Sequence, residues 1–197
     1  MLKIVVATGN EDKFREILDI LKEVPAEFFS LKDFPDIPEI EETGISFTEN
    51  ALLKARTVHK ATGLFTLADD SGLEVDALNG APGIYSARYA GQEKDYTANN
   101  EKLLREMEQL PPKMRGAQFR CVVALVGQNF EQIVEGVIRG RIIDELRGSA
   151  GFGYDPLFVP EGYNKTFAEL GEEIKNRISH RARAFHKAKE ILLNLWE

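Results

Sequence analysis

The chain has few of the residues that cross-link proteins or bind soft metals. Its 197 residues include one cysteine and three histidines. A single cysteine excludes an internal disulfide bond and any metal cluster built on several thiolates. Cys121 lies within the apolar stretch FRCVVALVG, so we interpret it as a small buried side chain and not as a reactive group.

The chain also lacks a long apolar run and an excess of positive charge. The N-terminal stretch MLKIVVATGN is apolar over too short a distance for a signal peptide or a membrane span. The formal net charge of -7 has the wrong sign for a protein that coats nucleic acid. We therefore expect a soluble cytoplasmic protein without nucleic-acid or membrane partners. With 43% hydrophobic residues, we expect one domain over residues 1–197.

Hydrophobic periodicity predicts alternating strands and helices in the first third of the chain. LKIVVA and AEFFSL are typical of strands, and between them apolar residues recur on one face of a helix that follows the TGN loop. Ser46 and Glu49 form a capping-box pattern for a second helix, which we expect to run to about Thr62 and to end at Gly63. LFTLA follows as a third strand. This order predicts an α/β sheet.

The rest of the chain predicts that this sheet is mixed. TANNEKLLREMEQL is typical of a helix that ends at Pro111 and Pro112. Two antiparallel strands joined through QNF are predicted from AQFRCVVALVG and EQIVEGVIRGRI. GSAGFGYDP is a glycine-rich loop of the kind that serves a site. RARAFHKAKEILLNLW predicts a final helix. Its expected core-facing residues are Phe185, Ala188, Leu192 and Leu195.

The first strand–helix junction, TGNEDK, has the features of an anion site. Backbone N–H groups at a helix start bind phosphate, and Lys13 in the first turn can reach the same anion. Thr8 and Asn10 add neutral donors. The local pattern fits equally well a helix that Thr8 or Asn10 merely caps, with Lys13 in solvent. The Walker pattern G-x-x-x-x-G-K-[ST] does not occur in the chain.

Adjacent carboxylates in an apolar setting indicate a second part of a site. Asp69 and Asp70 follow LFTLA, where we expect the third strand to end, and Gly72 would let the chain turn there. Neighbouring residues on an extended backbone point to opposite faces, so we expect the two acids to have different partners. Because apolar residues flank them on both sides, each requires a cation or hydrogen-bond donors in compensation.

Further acids, Glu39, Glu41 and Glu42, lie in the loop EIEETG. Carboxylates without a cysteine or histidine cluster suit Mg2+, which takes one or two of them together with substrate phosphates. Taken alone, Glu41 and Glu42 fit an exposed loop that binds nothing better than they fit a metal site. Asn50 and Lys54 share a helix face that points back toward this loop, so Lys54 is a candidate cation for the acids; an ordinary surface face fits the same spacing.

The last candidate cluster combines the loop GFGYDP with the segment KNRISHR. A flat aromatic face with several donors suits a nucleobase, which stacks on one side and is bound at its edge. Taken alone, the cluster is also compatible with His180 as a helix cap and Phe152 as a core residue. The members of the cluster are Phe152, Tyr154, Asp155, Lys175, His180 and Arg181.

Together these segments resemble the non-standard purine nucleoside triphosphate pyrophosphatases, the inosine and xanthosine triphosphatase family. The resemblance covers nearly the whole chain, with TGNEDK, EETGISFTENALLKAR, ADDSGLEVDALNGAPGIYSARYAG, GFGYDPLF, KTFAEL and SHR in the family's order. It implies an elongated mixed β-sheet flanked by helices, two lobes with a central cleft, and a homodimer.

The resemblance also implies a role for each matched residue. Asp70 would activate water with the help of Lys54, and Mg2+ would be held by Glu41, Glu42 and Asp70; which glutamate ligates directly stays open, as does the orientation of Lys175 relative to His180. The triphosphate would be bound by Thr8, Gly9, Asn10, Lys13 and Ser71. The base would be bound by Phe152, Gly153, Tyr154, Asp155, Lys175, His180 and Arg181.

The implied reaction is hydrolysis of ITP, dITP or XTP at the α-phosphorus to a nucleoside monophosphate and pyrophosphate. Donors near purine position six would bind a keto oxygen there and reject the amino group of adenine, at a cost of about 1–3 kcal/mol. Two alternatives stay open. One is a related pyrophosphatase acting on modified pyrimidines or dUTP, and the other is a regulator that binds nucleotides without turnover.

Overall fold

The computed structural model describes residues 2–91 and 95–195. The strands in this part of the chain are β1 (Leu2–Val6), β2 (Ala26–Phe29), β3 (Phe65–Val75), β4 (Gly116–Gly127), β5 (Phe130–Ile142) and β6 (Phe158–Pro160). The α-helices are α1 (Glu11–Leu21), α2 (Phe47–Thr62), α3 (Tyr96–Glu106), α4 (Phe167–Ile178) and α5 (His180–Leu195). Short 3-10 turns lie at Leu31–Asp33, Asp76–Leu78, Gly83–Arg88 and Pro112–Met114.

The strands form one mixed sheet in the order β2-β1-β3-β4-β5-β6. β1 is parallel to both β2 and β3, and β5 is antiparallel to β6, with Ile142 opposite Phe158. Only Gln128 and Asn129 separate β4 from β5, and so short a connection between neighbouring strands makes an antiparallel hairpin. The positive φ of 59° at Asn129 suits such a turn. The predicted α/β class and mixed sheet are confirmed.

Helices α1 and α2 begin where the sequence predicts. The Asn10 side chain caps α1 by accepting from the N–H groups of Asp12 and Lys13. Ser46 caps α2, which ends at Gly63 with a left-handed φ of 69°. The second half of the predicted capping box is wrong, because the Glu49 carboxylate accepts from the Ile45 N–H at 3.0 Å instead of from Ser46.

Strand β3 is longer than predicted. Asp69, Asp70 and Gly72 lie inside it and not in a turn beyond its end. The two carboxylates do not end the strand because each one meets cationic or amide groups on its own face, as described below. A buried strand therefore carries adjacent acids through the middle of the sheet.

Helix α3 ends at Glu106, before the predicted stop at the Pro111–Pro112 pair. The Arg115 guanidinium explains this end, since Nη2 donates to the Met107 carbonyl at 2.8 Å and Nε to the Leu110 carbonyl at 3.0 Å. Carbonyls at a helix C-terminus lack intrahelical partners, and Arg115 supplies a donor to that of Met107, the residue that follows α3.

Two elements were not predicted. α4 starts at a capping box formed by Thr166 and Glu169 and is interrupted at Gly171, where φ is 79°. That T-x-x-E pattern was a signal in the sequence. β6 is three residues long, too short for periodicity to reveal. In α5, Phe185, Ala188 and Leu192 are buried as predicted, but Leu195 at the helix end is 40% exposed. Trp196, which the predicted helix also included, lies outside the described residues.

The chain folds into two compact units, each built from separate segments. Within the described residues, unit 1 comprises 2–70, 121–136 and 181–195, and unit 2 comprises 71–91, 95–120 and 137–180. The core of unit 1 includes Ile4, Ile17, Leu67, Val123 and Phe185. The core of unit 2 includes Leu73, Leu103, Phe119, Phe158 and Phe167. Across residues 2–91 and 95–195, no helix combines the length and the apolar character needed to cross a membrane.

Candidate active site

Asp69 points to the face of β3 that carries cations from two other elements. Its Oδ2 lies 3.4 Å from Lys13 Nζ of α1 and 3.8 Å from Arg181 Nε of α5. The Asp69 side chain is 2% exposed. Burial opposes its ionisation, but the charges of Lys13 and Arg181 outweigh burial and hold the pKa of Asp69 well below its usual range. Asp69 is therefore a permanent anion that anchors two cations.

Asp70 points to the opposite face and has different partners, as predicted from the extended backbone. Asn50 Nδ2 donates to its Oδ2 at 3.0 Å, and Lys54 Nζ lies 3.8 Å from its Oδ1. Burial raises the pKa of Asp70 to about 6; Lys54 opposes this increase, whereas the negative charge of Glu42 adds to it. Asp70 can thus exchange a proton near neutral pH.

Lys54 connects the loop before α2 to β3. Its Nζ donates to Glu42 Oε1 at 2.7 Å and also faces Asp70. Burial works against the charge on Lys54, but Asp70 and Glu42 outweigh it and raise the pKa of Lys54 above its ordinary value. Lys54 therefore stays protonated. Glu42 is held in this cluster, whereas Glu41 beside it is exposed.

Asn50 joins the same loop to Asp70. Its Oδ1 accepts from the Gly44 N–H at 2.8 Å while its Nδ2 donates to Asp70. A side chain at position 44 would place Cβ 2.6 Å from Asn50 Oδ1, so the close approach requires glycine. The spacing of Asn50 and Lys54 predicted a shared face, and both side chains indeed reach the acids.

The TGN loop combines a helix cap with open space. Asn10 N–H donates to Thr8 Oγ1 at 3.2 Å, and Asn10 in turn caps α1. A Cβ at Gly9 would meet no atom within 4 Å. A small pocket beside this loop is also lined by Phe14, Ser30 and Lys32. Asn10 thus caps α1, as the alternative interpretation had it. The open space at Gly9 is also compatible with an anion bound by backbone N–H groups of this loop.

In unit 2, the aromatic loop is fixed by its own acid. Asp155 Oδ2 accepts from the Phe152 N–H at 3.0 Å and from Lys175 Nζ at 2.7 Å. Lys175 Nζ lies 4.3 Å from the centre of the Phe152 ring, a distance typical of a cation–π contact. Gly153, whose carbonyl accepts from Asn100 Nδ2 at 2.9 Å, has a left-handed φ of 65°. These contacts direct Lys175 toward the aromatic loop.

Three other predicted residues are placed as follows. The Tyr154 hydroxyl donates to the Ser86 carbonyl at 2.8 Å and its ring belongs to the core of unit 2. Tyr154 therefore attaches the aromatic loop to that core. The His180 ring stacks on Phe119 with centroids 4.7 Å apart. Ser71 is half-buried on β3 next to Asp70.

A preformed metal cage is not found. Among residues 2–91 and 95–195, no group of three or more Asp, Glu, His or Cys side chains is arranged to hold a metal ion. Of the three predicted ligands, Glu42 and Asp70 both contact Lys54. These two carboxylates are hard oxygen donors that share one cation.

Sequence reasoning missed two contributors to these clusters. Glu16 binds Arg181 at 2.6 Å, and its position three residues after Lys13 on one helix was the available signal. Asn100 holds the Gly153 carbonyl, for which the sequence offered no signal because α3 and the aromatic loop are far apart along the chain.

Comparison with known proteins gives full-length matches. The model of the Ham1 family matches residues 4–191. Curated proteins called dITP/XTP pyrophosphatase from Desulforamulus reducens and Geobacter sulfurreducens are 50% and 51% identical to this chain, covering 99% and 98% of it and 98% and 97% of their own lengths.

Solved structures match over the same extent. A HAM1 protein from Coxiella burnetii has a TM-score of 0.91 at 42% identity, covering 98% of this chain and 100% of that one. The Ham1 protein of Staphylococcus aureus has a TM-score of 0.89 at 40% identity, covering 98% of this chain and 99% of that one.

Proposed function

The chain belongs to the Ham1 family, and we propose that it hydrolyses the non-standard purine nucleotides dITP, ITP and XTP to the monophosphate and pyrophosphate. The observation that carries this proposal is the pair of buried acids on β3, of which one holds cations and the other exchanges a proton near neutral pH. Hydrolysis of a polyanionic substrate requires both functions.

The residues around the TGN loop and the acids of β3 would act on the triphosphate. Lys13 and the TGN loop, Thr8 to Asn10, would bind phosphate oxygens, with Ser71 as a further donor. Water would attack the α-phosphorus, its proton would pass to Asp70, and the bond to the bridging oxygen would break as pyrophosphate leaves. Lys54 would offset the negative charge that develops during this step. A pKa of about 6 for Asp70 suits a general base at neutral pH.

The donor set fits Mg2+. Asp70 and Glu42 are hard oxygen ligands, and their mutual repulsion contributes to the raised pKa of Asp70, which an added cation would relieve. Glu42 and Asp70 would hold the ion, with the exposed Glu41 as a third candidate. When bound, Mg2+ would supply positive charge to the phosphate oxygens. Lys54, whose pKa is raised, would remain as a fixed charge.

The aromatic loop and the residues from Lys175 to Arg181 would bind the purine. Phe152 offers a stacking face, and Asp155 fixes both the Phe152 backbone and Lys175. Lys175, the His180 segment and Arg181 would donate to the keto oxygen at purine position six, which adenine lacks. Tyr154 and Gly153 would set the conformation of the loop. We also propose a homodimer, from the family resemblance, and a cytoplasmic location, where nucleoside triphosphates are made and used.

A substrate panel tests the proposal. Pyrophosphate release would be measured from ITP, dITP, XTP, ATP, GTP and dUTP, with Mg2+ and with EDTA. We expect turnover of ITP, dITP and XTP with Mg2+ and loss of turnover with EDTA. Preferential release from dUTP would favour the pyrimidine alternative, and binding without release would favour a regulator. Light scattering of the purified protein would test the dimer.

A further inference from the structure

Phe152 is flanked by two glycines and needs contacts that fix its position. Gly151 and Gly153 both have left-handed backbone conformations, with φ of 77° and 65°. Because glycine restrains the backbone less than any other residue, the loop sequence does not by itself hold the Phe152 ring in one place. Asp155 accepts from the Phe152 N–H at 3.0 Å, which restrains the backbone at that residue. The ring and the Gly153 carbonyl require further partners.

Helix α3 supplies both partners from one of its faces. The Tyr96 ring lies against the Phe152 ring, with centroids 6.1 Å apart and an angle of 33° between the planes. Asn100 Nδ2 donates to the Gly153 carbonyl at 2.9 Å. Tyr96 and Asn100 are four residues apart, so they share a helix face. That face therefore contacts two consecutive residues of the aromatic loop, one through its side chain and the other through its backbone.

The start of α3 is itself anchored. Asp95 Oδ1 accepts from the Ala98 N–H at 3.0 Å and caps the helix. The Asn99 side chain accepts from the Ala90 N–H at 2.7 Å and donates to the Ala87 carbonyl at 3.1 Å. These bonds attach α3 to the segment that precedes it in the chain. The helix is therefore a fixed support, from which the face described above reaches the loop.

Asn100 is poorly explained as a residue that serves stability alone. It is 5% exposed, and within residues 2–91 and 95–195 its Oδ1 atom has no hydrogen-bond partner. A buried acceptor without a partner costs stability, and a leucine of similar size would avoid that cost. The bond from Nδ2 to the Gly153 carbonyl is therefore the contact that this buried amide provides.

We propose that Tyr96 and Asn100 are positioning residues, which hold the Phe152 ring where a purine base can stack on it. This inference rests on the proposed function, in which Phe152 offers the stacking face. Neither Tyr96 nor Asn100 touches the substrate in this role. Because the ring is already in place, binding of the base does not have to order the loop. The two residues therefore lower KM and act little on the chemical step.

Tyr96→Leu tests the ring contact. Tyr96 is 37% exposed, so its ring can be removed without leaving a cavity in the core. We expect KM for ITP to rise about three- to tenfold, while kcat changes much less. Tyr96→Phe keeps the ring and loses only the hydroxyl, so it should retain the wild-type KM. Both constants would be measured by pyrophosphate release with Mg2+.

Asn100→Leu tests the bond to the Gly153 carbonyl. It keeps the approximate size of the side chain and removes the donor, so KM for ITP should rise about tenfold and kcat should change much less. The matched control is Lys102→Met on the same helix. Lys102 Nζ also donates to a backbone carbonyl, that of Tyr89 at 2.8 Å, and lies 4.2 Å from the centre of the Tyr89 ring. Because these contacts lie outside the aromatic loop, the control should leave both kinetic constants unchanged.

A double-mutant cycle separates positioning from direct contact with the base. In a Phe152→Leu background, Tyr96→Leu and Asn100→Leu should cause no further rise in KM, because their effects pass through the Phe152 ring. A residue that touched the substrate itself would cause the same loss in both backgrounds. Thermal unfolding of each variant would verify folding.

Three outcomes would overturn the positioning role. They are a folded Tyr96→Leu variant with the wild-type KM, an equal rise in KM in the Phe152→Leu background, and a fall in kcat as large as the rise in KM. Failure of Asn100→Leu to fold would assign Asn100 to stability, and Tyr96→Leu would then decide the role of α3 by itself. If the wild-type protein released no pyrophosphate from ITP, the proposed function would be wrong as well, so the wild-type assay distinguishes the two failures.

Discussion

At the scale of single residues, Asp69 and Asp70 differ because β3 turns them to opposite faces. Despite its burial, Asp69 keeps a low pKa next to Lys13 and Arg181. Burial together with Glu42 raises the pKa of Asp70 to about 6 although Lys54 is near. Two carboxylates whose pKa values are pushed apart can divide the work of charge stabilisation and proton transfer.

The exchange Asp70→Asn tests the proton-transfer role. The amide can still accept from Asn50 but cannot take a proton from water, so we expect kcat for ITP to fall about a hundred- to ten-thousand-fold while ITP still binds. The measurement is pyrophosphate release at saturating ITP and Mg2+. Asp76→Asn is a suitable control, since Asp76 also pairs with a cation, Arg139 at 2.6 Å, within unit 2. Retention of full activity in Asp70→Asn would exclude the base role.

The same exchange should stabilise the metal-free protein at alkaline pH. The pKa of Asp70 is about 6 in the folded state against an ordinary value of 3.8, so folding favours its neutral form. The associated stability is present below pH 3.8 and is lost as pH rises through 6. Asparagine avoids this loss, and the variant should gain up to about 3 kcal/mol at pH 8.

Urea unfolding in EDTA at pH 4 and pH 8 would measure this gain, which should nearly vanish at pH 4. Asp76→Asn provides a contrast of opposite sign, because the hydrogen bond from Arg139 lowers the pKa of Asp76 and its loss should not stabilise at pH 8. A less stable Asp70→Asn variant at pH 8 would contradict the assigned pKa.

At the scale of elements, the sequence predicted what is local and missed what packing decides. Caps at Asn10 and Ser46 depend on neighbours in the chain, so the starts of α1 and α2 were predictable. The extent of β3 was not, because an acid within a strand is stable only when distant partners such as Arg181 meet it. The opposite orientations of the two acids were predictable because side chains alternate along an extended backbone. Glu16 was missed because its partner, Arg181, is distant in the sequence.

The contact between the EETG loop and α2 can be tested with Gly44→Ala. The added Cβ would lie 2.6 Å from Asn50 Oδ1 and 2.7 Å from Glu49 Cβ, so the loop must move and take Glu42 away from Lys54. We expect kcat to fall about ten- to hundredfold and the free energy of unfolding to fall about 1–3 kcal/mol.

Gly63→Ala at the other end of α2 is the matched control. Its positive φ of 69° makes alanine costly, but a Cβ there would meet nothing within 4 Å. It should lower stability and leave kcat unchanged. Equal kcat values in the two variants would show that the EETG loop does not position the acids.

At the scale of the whole molecule, the chain passes from one unit to the other after Asp70, Arg120, Gly136 and His180. Each unit therefore requires segments that are distant in sequence, and neither is a contiguous piece that could be excised. β4 contributes to both units, with Cys121 at the first of its residues in unit 1. The reactivity of the Cys121 thiol therefore reports when the interior of the sheet becomes exposed to solvent.

Cys121 is fully buried, and burial together with the nearby Asp69 charge raises the pKa of its thiol. A thiol reagent should thus react only through unfolding, and one equivalent should react in denaturant. Because a ligand that binds the folded state suppresses opening, ITP with Mg2+ at 100 times Kd should slow labelling of Asp70→Asn about a hundredfold. ATP at the same concentration should slow it much less. Fast labelling of the ligand-free native protein would contradict the burial of Cys121, and equal protection by ATP would contradict selective binding of the deaminated purine.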